Sequence, residues 1–221
     1  MRVEKIAPLT AYNTFRVAAT ASYLVHVGGN PNDHMARQLS DLLARPCFDR
    51  LPRMVLGAGS NVLFAGDYPG VVIIPGSGSI SIQETASSVI LTAVAGQNWH
   101  QLVQYAVKNG WGGVENLSLI PGSVGAAPVQ NIGAYGAQLS DVFVDLKAVP
   151  LAGGAERTMD HGSCDFDYRE SVFKNSLCNQ MLITEMRIRL CKRPQLNLGY
   201  AGLREELTRM AVVDPTVAEV S

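Results

Sequence analysis

The sequence predicts an α+β fold, with short strands and helices interleaved along the chain and hairpins among them. Three observations carry this. Met186, Ile188 and Leu190 alternate with Glu185, Arg187 and Arg189, which is the period of a strand with one face buried. Trp99, Leu102, Val103, Ala106 and Val107 recur at helical spacing and form one apolar stripe. Ala152-Gly153-Gly154-Ala155 lies between strand-like runs and reads as a hairpin turn. A regular doubly wound sheet would repeat strand–helix units, and this chain does not.

The elements follow in order. Leu24 to Val27 is a short apolar strand, and Met35 to Leu43 a helix with Met35, Leu39, Leu42 and Leu43 inward. Arg53-Met54-Val55-Leu56 reads as a short buried strand. Val71 to Ile74 is another, ended by Pro75-Gly76, and Val89 to Ala95 a third, rich in β-branched residues. The striped helix starts at a good N-cap, Asn98, and stops at Gly110. Val142, Val144, Leu146 and Ala148 restore strand periodicity. Near the end, Asp214-Pro215-Thr216 is a helix start with about one turn of chain after it, too short to stand alone. That predicts either a frayed tail or a chain that has lost a larger downstream part.

Composition bounds the rest. With 221 residues, 47% hydrophobic and 17% charged, the chain is packed and globular, large enough for one large domain or two small ones. A formal net charge of -1 carries no basic surplus and argues against a nucleic-acid partner. Positive charge for an anionic ligand must therefore be local. Cys47, Cys164, Cys178 and Cys191 form no C-x-x-C pair and their gaps fit no zinc site, so free buried thiols in a reducing compartment are expected. Glu4 and Lys5 stand where a signal peptide would be apolar, and no run approaches membrane-spanning length. The expected location is the cytoplasm.

Two glycine loops carry the chemistry. The strand ending at Leu56 runs into Gly57-Ala58-Gly59-Ser60-Asn61. A strand followed by Gly-x-Gly presents backbone amides to a pyrophosphate, although a bare strand-to-strand turn has the same look. Val62 stands where a third glycine would complete the dinucleotide fingerprint, and no Gly-Lys-Ser/Thr follows as in a P-loop. The second loop runs from Ile120 to Gly136, with glycine every few residues, and predicts no regular helix or strand. It suits a phosphate or a flat cofactor held by amides, or is a plain surface loop. Together the loops favour a nucleotide-type ligand. In Cys164–Lys174, Arg169 forks toward carboxylates or phosphates, unless Asp165, Asp167, Arg169 and Glu170 merely pair with one another on the surface. Tyr200 is a lone aromatic among small residues, either functional or an ordinary tyrosine.

These pieces resemble one family. Asn13-Thr14-Phe15, Gly57-Ala58-Gly59-Ser60-Asn61, Glu115 to Gly122, Gln130 to Gly136 and Tyr168 to Lys174 occur in the order of the UDP-N-acetylenolpyruvoylglucosamine reductases, also called UDP-N-acetylmuramate dehydrogenases or MurB. The resemblance covers nearly the whole chain, and the long block is highly specific. It implies an FAD-binding fold of the vanillyl-alcohol-oxidase type in two subdomains, residues 1–65 and 66–210, with 211–221 the start of a truncated C-terminal region. It implies that NADPH reduces FAD and that the enolpyruvyl ether of UDP-N-acetylglucosamine is then reduced to UDP-N-acetylmuramate for peptidoglycan synthesis. Gly57, Gly59, Ser60 and Asn61 match the flavin-pyrophosphate loop, and Pro121, Gly122, Gly125, Asn131, Ile132 and Gly136 the second flavin loop. Arg169 matches the catalytic arginine. Tyr168 and Tyr200 match substrate contacts, with Ala201 replacing the usual glycine after Tyr200. The family's C-terminal Gly-Ser-Phe-Phe-Lys motif, whose serine is the proton donor, and its later glutamate are not in this sequence. The chain is thus expected to lack the C-terminal substrate domain. The alternatives are a reductase impaired by that loss, a non-catalytic FAD-binding remnant, or an FAD oxidoreductase with another substrate.

Overall fold

A computed structural model describes residues 1–28 and 34–221. Two sheets organise the chain. The first holds β1 (Arg2–Pro8), β2 (Thr20–Val27), β3 (Arg53–Val55) and β4 (Tyr68–Pro75) in the order β1-β2-β4-β3. β1 and β2 are antiparallel, while β4 runs parallel to both β2 and β3. The central strands β2 and β4 are apolar on both faces because both faces are covered. Val25, Val27, Val71 and Ile73 pack with Leu39 and Leu42 of α1 (Met35–Leu43), whereas Leu24 and Val72 join Leu9, Leu56 and Phe64 on the other side. The helix bounds expected for α1 hold. β3 is half-buried rather than buried, since it stands at the sheet edge.

The second sheet is fully antiparallel. Its strands are β5 (Ile80–Glu84), β6 (Ser88–Val94), β9 (Phe143–Pro150), β10 (Arg157–Asp160) and β11 (Met181–Cys191), ordered β10-β9-β11-β6-β5. α2 (Trp99–Lys108) packs on it through Trp99, Leu102, Val103 and Ala106. Asn98 caps that helix, its side chain accepting a hydrogen bond from the Gln101 amide at 2.9 Å. The Ala152–Ala155 turn joins β9 to β10 as expected. The two sheets divide after Pro75 rather than after residue 65, because β4 is hydrogen-bonded into the first sheet.

The second glycine loop departs from its expected irregularity. Val124–Gln130 winds into a 3-10 helix, and β7 (Gly133–Ala134) pairs with β8 (Ala137–Gln138) in a miniature hairpin. The hairpin tip is Tyr135-Gly136, with φ of 49° and 80°, the left-handed pair of a two-residue turn. After α3 (His161–Cys164) and β11 come α4 (Ala201–Arg209) and α5 (Val217–Val220). α4 buries only Leu207, so it left no apolar stripe to read. The expectation of a frayed tail is overturned. Thr216 and Glu219 form a reciprocal cap on α5, and Val217 and Val220 are buried against α2 and the Glu115–Leu117 turn.

Candidate functional site

The first glycine loop is braced from behind. Gly59 has φ of +65°, and a Cβ there would lie 2.0 Å from the Tyr12 carbonyl oxygen. Only glycine permits this approach. Thr14 donates its amide to the Gly59 carbonyl at 3.1 Å. The strap that carries Tyr12 and Thr14 is held by Asn13, which is buried. Its side-chain amide donates to the Leu9 and Val17 carbonyls at 2.9 and 3.1 Å and accepts from the Val17 amide at 2.9 Å. The Asn13-Thr14-Phe15 piece is thus the buttress of the loop.

The second loop faces the first. A Cβ on Gly57 would stand 2.7 Å from the Ser123 hydroxyl and 3.2 Å from the Ala126 methyl. Ser60 donates to the Pro121 carbonyl at 3.2 Å, and Asn61 donates to Gln130 at 3.0 Å. Gly125 gives its amide to the Ala95 carbonyl at 2.8 Å, which ties the 3-10 helix to the end of β6. Between the loops lies a cleft of about 240 Å³, and Gly57, Gly59, Ser60, Pro121, Gly122 and Ile132 are among its walls. A recess of about 130 Å³ continues from it past Gly57 and Ser123. Among the described residues, the amides of Gly57, Ala58, Gly59, Ser60 and Asn61 donate to no protein acceptor. Five consecutive unused N–H groups on a wall without large side chains make a nest for an anion. Apolar walls at Trp99, Ile120 and Ile132 suit a flat ring beside it. The residues present fit a flavin dinucleotide.

Not every expected residue lines that cleft. Asn131 is buried with φ of +39° and acts as a hub. It accepts from the Ser140 amide at 3.0 Å and donates toward Gln138, the Ser140 hydroxyl and the Asp167 carbonyl at 3.1 to 3.2 Å. It thereby ties the second loop to the segment bearing Tyr168 and Arg169. Ser171, fully buried, adds a second tie by donating to the Val129 carbonyl at 2.7 Å. Gly136 lies on the hairpin tip, its carbonyl accepting from Asn197 at 2.9 Å. Beside that tip, Tyr200 meets Tyr135 edge-on, ring centres 5.0 Å apart, above a second cavity of about 400 Å³ floored by Asn116 and Val220.

The expected surface cluster of Asp165, Asp167, Arg169 and Glu170 does not form. Glu170 pairs instead with Lys174 at 2.8 Å, and that hydrogen bond holds its carboxyl below the usual range. Arg169 is exposed and makes no ion pair among the described residues. Tyr168 is 79% exposed. Reading by residue type missed Ser123, Ala126, Gln130, Trp99 and Lys174 as cleft walls, since only the folding of two loops onto each other brings them together. No cluster of metal-binding side chains and no helix long and apolar enough to cross a membrane occurs among the described residues.

Comparison with known proteins accords with this geometry. The FAD binding domain family (FAD_binding_4) matches residues 34–159, more than half of the chain. The chain belongs to the FAD binding domain family. FAD is the cofactor of that family. The chain is 40% identical over 215 residues to the UDP-N-acetylenolpyruvoylglucosamine reductase of Chromobacterium violaceum, covering 96% of itself and 61% of that protein. It is 44% identical over 216 residues to the reductase of Xanthomonas campestris pv. campestris, covering 97% of itself and 60% of the relative. The chain thus spans about 60% of the length of these curated relatives. The crystal structure of the reductase (MurB) from Thermus caldophilus superposes with a TM-score of 0.65 at 23% identity, covering 97% of this chain and 71% of that one. A solvent-stable cholesterol oxidase follows at 0.58 and 14%, covering 86% and 38%. The FAD-binding domain fold is therefore of the vanillyl-alcohol-oxidase type, α+β as its sequence implies.

Proposed function

We propose that this FAD binding domain is the flavin-carrying part of an NADPH-dependent UDP-N-acetylenolpyruvoylglucosamine reductase, an oxidoreductase of peptidoglycan precursor synthesis in the cytoplasm. One observation carries the reading. Five free amides at Gly57–Asn61 face a second loop, and that loop is tied through Asn131 and Ser171 to the turn bearing an unpaired arginine. Gly57, Gly59, Ser60 and Asn61 hold the pyrophosphate, while Pro121, Gly122 and Ile132 wall the cleft. Asn131 and Gly136 shape the second loop rather than touch the cofactor, while Gly125 walls the recess that continues from the cleft. A bound FAD would supply the hydride chemistry between NADPH and the enolpyruvyl ether.

The chain's own residues bind and polarise. Arg169 offers a guanidinium that no carboxylate among the described residues neutralises, and its full charge is available to the substrate carboxylate as negative charge develops there. Tyr168 and Tyr200 stand on the exposed side as contacts for the UDP-sugar. A second reading is a flavin-binding domain without turnover of its own.

The test is a visible spectrum after FAD addition and desalting, then anaerobic NADPH, then the enolpyruvyl substrate. Retained flavin that bleaches with NADPH and recolours with substrate supports the reductase. Retained flavin that stays oxidised supports the second reading, and no retained flavin overturns both. Arg169→Lys is expected to keep flavin and its bleaching but slow the recolouring, because an ammonium cannot reproduce the guanidinium fork.

A further inference from the structure

Among the described residues, Lys174 is the one cationic wall of the flavin cleft, and its ammonium is already engaged by protein acceptors. It donates to the Arg169 carbonyl at 2.9 Å and to the Glu170 carboxylate at 2.8 Å. The first of these contacts has a particular meaning. Asp167-Tyr168-Arg169-Glu170 is a tight turn, closed by reciprocal amide–carbonyl bonds between Asp167 and Glu170 at 3.2 and 3.1 Å. Arg169 sits in it with φ of +57°. That region is disfavoured for any residue with a Cβ and is normally left to glycine, so something must hold a long side chain there.

The peptide unit between Arg169 and Glu170 is gripped at both ends. Its N–H is bound by the Asp167 carbonyl, and its C=O by Lys174. Fixing that plane fixes ψ of Arg169, and with it the direction in which the guanidinium leaves the turn. The other carboxylate oxygen of Glu170 accepts from Asn175 at 3.2 Å, so the counter-ion of Lys174 is itself anchored. The rest of the turn is already tied to the second flavin loop through Asn131 and Ser171. Lys174 closes the last free side, from the cleft.

We infer that Lys174 is a positioning residue: with Glu170 as its anchor, it holds the Arg169 turn in its left-handed conformation and couples it to the flavin cleft. The inference rests on the reading of Arg169 as the catalytic cation. It assigns Lys174 no contact with substrate and no step in the chemistry.

Amide hydrogen exchange of Glu170 in the full chain tests the grip directly, and turnover does not enter that readout. Lys174→Met keeps the apolar stem and removes the donors. It is expected to speed exchange at Glu170 by about three- to tenfold, the loss of one charge-assisted bond at a partly exposed site. Lys174→Arg should restore most of the protection, and the melting temperature should move by no more than about 2 °C, since an exposed pair adds little global stability. Unchanged exchange in Lys174→Met overturns the inference, whatever Arg169 does. The link to chemistry is tested by anaerobic recolouring of reduced flavin with the enolpyruvyl substrate. Lys174→Met should slow it about tenfold when Arg169 is present and not at all in an Arg169→Ala background. Equal slowing in both backgrounds overturns action through Arg169. A wild-type chain with no substrate-dependent recolouring overturns the functional reading instead, and the exchange result still decides the grip.

Discussion

Replacing Gly59 by alanine tests how the first loop is built. Two penalties add at that position. The backbone stands at φ of +65°, where a Cβ costs about 1–2 kcal/mol. The new Cβ would also lie 2.0 Å from the Tyr12 oxygen, 2.8 Å from its carbonyl carbon and 2.9 Å from the Asn13 Cα. All three are backbone atoms of a strap that Asn13 holds by three hydrogen bonds, so no side chain can swing aside. Overpacking of this kind costs about 1–3 kcal/mol. The sum, about 2–5 kcal/mol, corresponds to a fall in melting temperature of about 10 °C for a chain of this size. Two other glycines separate the contributions. Gly110 has φ of +72° with nothing within 4 Å of a Cβ, so Gly110→Ala carries the backbone penalty alone, about 1–2 kcal/mol. Gly66 has neither feature, and Gly66→Ala should stay within about 0.5 kcal/mol of wild type. Urea unfolding of the three variants, with flavin retention after desalting, reads the series. Gly59→Ala should also lose flavin, because its five free amides move with the strap. If Gly59→Ala and Gly110→Ala unfold alike and both keep flavin, the brace by Tyr12 is not what shapes the loop.

Three further outcomes are expected. Asn131→Ala unpairs buried groups on both loop and turn and should lower urea stability by about 2–4 kcal/mol, while an exposed asparagine such as Asn109 should tolerate alanine far better. The expectation of buried thiols holds only for Cys164; Cys47, Cys178 and Cys191 are exposed and should react with a disulfide reagent in the native state. Burial, with Asp160 and Asp145 nearby, pushes the Cys164 thiol up to about 12, so it should react only on unfolding. Burial also holds the His26 pKa below its ordinary 6.5, against the opposing pull of Glu4. The unfolded chain then binds the proton more readily, so this contribution is complete above pH 6.5 and is lost as pH falls toward the folded value. Melting temperatures between pH 7.5 and 5.5 should therefore fall less for His26→Gln than for wild type, and an equal fall would refute the assignment.

The strands with clear alternation and the helices with clear stripes were legible because burial on one face writes a period into the chain. α1 and α2 came out with nearly the expected bounds for that reason, and the alternating run Glu185 to Leu190 lies within β11. β5 and α4 did not, since β5 offers only Ile80 and Ile82 and α4 buries only Leu207. The Gly57–Asn61 loop was visible as residue types, but its five amides could be known to be free only once their neighbours' partners were placed. Arg169 was a candidate by type, and spacing alone favoured the alternative of a surface salt-bridge cluster until the turn set Glu170 toward Lys174.

What the sequence determined by itself was the α+β class and the position of the two glycine loops, because these rest on local periodicity and on residues whose backbone freedom is intrinsic. Tertiary structure alone decided that the loops face each other, that Asn131 supports the cleft rather than lines it, and that the short C-terminal helix is anchored by two buried valines. Each of these depends on contacts between segments far apart in the chain, and such contacts leave no pattern in either segment read alone.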